Sequence, residues 1–84
     1  MDDVQTQTSR VTAGHIRMAR AGLNLTVRDL AEKAGVNKAT IVRMEAGHAP
    51  RASSLNAVCQ VLEEHGAAFD IEAETDRIIV KLST

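Results

Sequence analysis

Apolar side chains recur at helical spacing through most of the chain, and then the period drops to two. Ile16, Ala19, Arg20 and Leu23 stand at i, i+3, i+4 and i+7, one face of a helix that Thr12 would cap and that ends near Ala21 or Gly22. Thr26 followed three residues on by Asp29 is a capping-box start, opening a short helix with Val27, Leu30, Ala31 and Ala34 on one side. Gly35 stops it. Asn37 stands where it would cap a third helix over 38–46, with Ile41, Met44 and Glu45 inward. Gly47 ends that helix and Pro50 keeps it from resuming. A fourth begins at Ser53 or a neighbour, carries the stripe Leu55, Val58, Cys59 and Leu62, and closes at Gly66.

Beyond Gly66, Phe69, Ile71 and Ala73 alternate with Asp70, Glu72 and Glu74, and Ile78, Val80 and Leu82 alternate with Ile79 and Lys81. Two alternating runs joined by a polar turn predict a β-hairpin. Residues 1–10 are polar and aperiodic and read as a flexible arm. The expected fold is mainly α: an arm over 1–10, a four-helix domain over 11–66 and a hairpin over 67–84. An isolated two-stranded hairpin is marginal in water, so this one needs something to pack on. One solution is dimerisation with the hairpin of a second copy through Phe69, Ile71, Ile78, Val80 and Leu82. The other is packing on its own fourth helix.

Length makes the first solution attractive. A chain of 84 residues buries only about 60% of its unfolded surface, which leaves a thin stability margin. Its single cysteine, Cys59, excludes an internal disulfide and reads as core packing; no Cys/His pair has metal-ligand spacing. No metal or cofactor is expected, and self-association is the remaining prop. His15, His48 and His65 are scattered and read as surface residues. No apolar run approaches the ~20 residues of a membrane span and no signal pattern opens the chain, so a cytoplasmic protein is expected. Phe69 is the sole aromatic, too few for a protein that stacks single-stranded bases. Enzyme signatures such as a nucleophile elbow or a Gly-rich phosphate loop are missing, and no enzymatic activity is expected.

Charge is unevenly divided. The net charge of −1 conceals a segment over 10–51 with eight cations against three anions, net +5, and a segment over 52–84 with six anions against two cations, net −4. One surface is thus suited to a polyanion. Within the basic segment, three features make residues 27–46 more specific than any pair of helices. Ala31 is small where the helices cross, Gly35 permits the positive φ of a sharp turn, and Val36 and Ile41 plug the angle between them.

The run LNLTVRDLAEKAGVNKATIVRMEAG resembles the Cro/CI-type helix-turn-helix family of phage repressors and bacterial regulators, and the similarity spans residues 12–65. It implies a lambda-repressor-like domain that binds double-stranded DNA, a palindromic operator read by a homodimer, with the third helix in the major groove. By position in the family, Lys38, Ala39, Thr40 and Arg43 would face bases and Asn37 the backbone; Arg10, Arg17, Arg28 and Arg51, on the arm, the first two helices and the loop after the third, are read from their placement as further phosphate contacts. Val27 departs from the pattern, because family members often carry a phosphate-contacting Gln there. The resemblance also implies autoregulation in a phage-like or mobile-element setting, and an acidic patch at Asp29 and Glu32 that would touch RNA polymerase. An antitoxin that neutralises a protein toxin while repressing its own promoter is the competing expectation.

Arg20 and Glu45 each stand on an apolar stripe. A lone buried charge is very costly, so two opposite ones in one small core are expected to meet as a structural ion pair.

Overall fold

The helices start and stop where local chemistry requires it. The computed structural model describes residues 13–71 and 78–82, in the order α1 (Ala13–Gly22), α2 (Val27–Ala34), α3 (Lys38–Glu45), α4 (Ala52–Glu64), β1 (Ala67–Ile71) and β2 (Ile78–Leu82). Thr12 and the arm lie outside the described residues. Thr26 forms a complete capping box: the Asp29 N–H donates to its hydroxyl at 2.9 Å and its own N–H donates to the Asp29 carboxylate at 3.1 Å. The Thr26 N–H, and then its hydroxyl, hold the Asp29 carboxyl below the ordinary range. The stability this contributes is in place above the ordinary carboxylate pKa and is lost only as pH falls through the lowered one.

Gly35 closes α2 with φ 71° and ψ 30°, and the next N–H, of Val36, reaches back to the Ala31 carbonyl at 3.0 Å. Crowding is not the reason for glycine, since nothing lies within 4 Å of where a Cβ would stand; the sign of φ is. One start differs from expectation and the other agrees with it. Asn37 occupies the N-cap position of α3 but makes no side-chain capping bond, and α4 starts at Ala52 with Arg51 as its N-cap residue. Arg51 is extended there, at φ −65° and ψ 147°.

Each helix supplies a wholly buried side chain to one core: Ile16, Leu30, Ile41, and both Val58 and Leu62. Ala31 is 4% exposed in the angle where α2 meets α3 and α4. Val61 joins this core as well, widening the α4 stripe beyond the pattern read from spacing. Cys59 is 4% exposed, and burial pushes its thiol up to about 12, so it packs as a protonated small hydrophobe.

The hairpin closes the core from below. Gly66, at φ 111°, turns the chain back from α4 into β1, which pairs antiparallel with β2 in the register Ala67 to Leu82 and Phe69 to Val80. Ala67 and Phe69 are 5% and 6% exposed inside the protomer, and Val80 packs against the same cluster. Leu82 lies against α1, its Cδ1 filling the space a Cβ on Gly22 would need. Phe69 and Val80, expected at a dimer interface, face their own domain in the protomer. The reason is physical. An aromatic ring buried within one chain gains its hydrophobic stabilisation with no loss of translational freedom, whereas a dimer must first offset that loss. The side chains of Ile71 and Ile78 lie outside the described ones.

Candidate nucleic-acid interface

With Ile41 and Met44 turned to the core, the 100° step of a helix puts Ala39 and Ala46 on the outermost line of α3. Arg43 flanks that line on the side of α4, and Lys38 flanks it on the other. Lys38, Ala39 and Arg43 are exposed and Thr40 is half-buried. Between α3 and the N-terminus of α4 runs an open groove of about 520 Å³. Asn37, Thr40 and Arg43 line it from α3, and His48, Arg51 and Ser54 line it from the loop and α4. The groove thus gathers residues from both sides of the loop. Asn37, freed from capping, is one of them. His48 and Ser54 were not legible as site residues, because neither the loop path nor the start of α4 was fixed by spacing.

The orientation of α3 is set from behind. Arg20 on α1 meets the Glu45 carboxylate with two parallel bonds, Nε to Oε2 at 2.6 Å and Nη2 to Oε1 at 3.0 Å, and gives Nη1 to the Leu25 carbonyl at 2.9 Å. The pair is largely enclosed, with 18% and 10% side-chain exposure. The bond to Glu45 holds the guanidinium even further above its already high ordinary pKa. Arg17, one turn earlier, donates to the backbone carbonyl of Glu45 at 3.1 Å. Both arginines of α1 therefore grip one residue at the end of α3. A cation on the last carbonyls of a helix also suits the helix dipole.

A helix-turn-helix family model matches residues 16–68, more than half of the 84-residue chain. The match takes in the α2–turn–α3 unit, the groove and the clamp behind it. The chain belongs to the Cro/CI-type helix-turn-helix family. It is a DNA-binding transcriptional regulator, from a family of regulatory domains and not of enzymes. No match is found among curated proteins.

In this regulator the cations read as phosphate contacts fall into two groups. Arg51 borders the groove, and Arg28 is exposed at the first turn of α2, paired among the described residues with Glu32 at 3.6 Å. An exposed i,i+4 pair of that length is worth little and yields readily to a phosphate. Arg17, by contrast, has its guanidinium at the C-terminal end of α3, bonded within the protomer. Arg10 lies outside the described residues. The acidic residues of α2 are also engaged: Asp29 in the cap and Glu32 with Arg28. Among the described residues, no helix of the regulator is long and apolar enough to cross a membrane.

Proposed function

We propose that this regulator binds a palindromic operator as a homodimer in the cytoplasm and represses its own promoter. The observation that carries the reading is the groove in which Arg43, Thr40 and Asn37 converge with Arg51 and Ser54. A guanidinium at Arg43 is suited to grip guanine O6 and N7 with two parallel bonds. Lys38 reaches a second guanine or a phosphate, the short Ala39 lets the helix approach, and Thr40 bonds a base edge or a phosphate. Asn37, Arg28 and Arg51 hold the backbone and fix the register.

The test starts from a duplex selected out of a random library by the wild-type protein. Arg43→Ala should weaken binding to that duplex by about 1–3 kcal/mol and make one base position per half-site permissive. Equal losses on selected and random duplexes would remove Arg43 from base reading. A footprint on the DNA upstream of the gene tests autoregulation.

One recognition helix reads too few base pairs to find a site in a genome, which favours a two-fold pair on half-sites ~34 Å apart. A protomer measures 35 × 29 × 22 Å, so two copies in contact span one helical turn. With Phe69 and Val80 inward, the surface offered for pairing is the opposite face of the hairpin, where Ile79 is 37% exposed. Ile79→Lys should weaken the dimer about tenfold or more in sedimentation while the melting temperature holds. An unchanged dimer moves the interface elsewhere.

A further inference from the structure

We infer that Val42 is a specificity-determining residue that reads a thymine methyl group in the major groove. The inference rests on the duplex-binding reading above and adds an apolar contact to it. Val42 is 49% exposed and, among the described residues, belongs to no apolar cluster. It lies one turn from Lys38 and Ala39 and one turn before Ala46, on the outer face of α3, with Arg43 beside it. Folding gives no reason for valine there. It is the third of three consecutive β-branched residues, Thr40, Ile41 and Val42, in a helix of 8 residues, and each lowers helix propensity. An exposed position that opposes local propensity, on the outer face of α3 beside the Ala39 and Ala46 line, marks a functional demand.

The chemistry of the partner follows from the surroundings. Lys38 and Arg43 flank the patch, so what it meets is a polyanion. In the major groove the apolar feature that base pairs present is the C5 methyl of thymine. The small side chains of Ala39 and Ala46 let α3 approach closely enough for the Val42 methyls to touch it.

The experiment uses the selected duplex with each thymine replaced in turn by deoxyuridine, symmetrically in both half-sites. At one position the loss of the methyl should weaken wild-type binding about fourfold per half-site, about fifteenfold for the pair. Val42→Ala should weaken binding to the parent duplex by a similar factor and be indifferent to that deoxyuridine, while its melting temperature stays equal or rises. Deoxyuridine without effect at every position, or an equal effect in wild type and Val42→Ala, overturns the role of Val42 and leaves DNA binding intact. A protein that binds no duplex at low salt overturns both.

Discussion

Arg20→Met is expected to lower the free energy of unfolding by about 3–5 kcal/mol, measured by urea denaturation followed by circular dichroism. The substitution keeps most of the aliphatic bulk on the inner face of α1 but withdraws three donors. The Glu45 carboxylate, 10% exposed, loses both hydrogen bonds that Arg20 gives it, and the Leu25 carbonyl loses one. What is lost is chiefly the compensation for a charge already out of water, which is why one deletion costs more than the pair is worth. Against the 5–15 kcal/mol typical of a small domain, the change is severe. Two further measurements separate this account from simple loss of packing. Combining Arg20→Met with Glu45→Leu removes both charges and should recover much of the stability, since an apolar pair replaces an ion pair at little net cost. The raised pKa of Arg20 means that its contribution is complete below the unfolded-state value, so no pH in the working range should mimic the mutation. If the urea midpoint of Arg20→Met stays at the wild-type value, the clamp is not what holds α3.

That clamp was legible in the sequence because two opposite charges stood on apolar stripes, and stripes become core. The α2–turn–α3 unit was legible for the same kind of reason: Thr26 with Asp29, Gly35 and Ala31 each satisfy a local requirement that few other residues meet. The hairpin shows where such reasoning stops. Alternation says that Phe69 and Val80 share a face, and their register bears this out. It does not say whether that face meets its own domain or a copy. The answer depends on Val61, whose addition widens the apolar side of α4, and on Gly66, whose positive φ aims the strand back at it. Asn37 fails as a cap for a related reason, because residue type states what a side chain can do and the groove offers this one an alternative. Val42 escaped notice since an apolar residue off the stripe looks like noise until its exposure is known.

Binding to duplex DNA should fall steeply with salt. The protein carries a net charge of −1, so its affinity for a polyanion must come from how charge is distributed and not from how much there is. Lys38, Arg28 and Arg51, with Arg43 or an amide at the start of a helix, give three or four phosphate-facing donors in each protomer, roughly six to eight in a two-fold pair. Arg17 is left out of that count because it holds the Glu45 carbonyl. Each phosphate neutralised contributes about 0.9 to the slope of log K against log salt, so a fourfold rise from ~50 to ~200 mM should weaken binding ~10³–10⁴-fold. Fluorescence anisotropy of a labelled duplex across that range measures the slope directly. A monomer gripping one half-site would show about half of it, which makes the same titration a count of protomers on the DNA. Replacing Arg51 by Gln should remove about two phosphate contacts from the dimer and reduce the slope by close to 2, with no change in base preference. A slope near zero would mean that the basic face meets no backbone at all, and α3 would then lie against protein rather than in a groove.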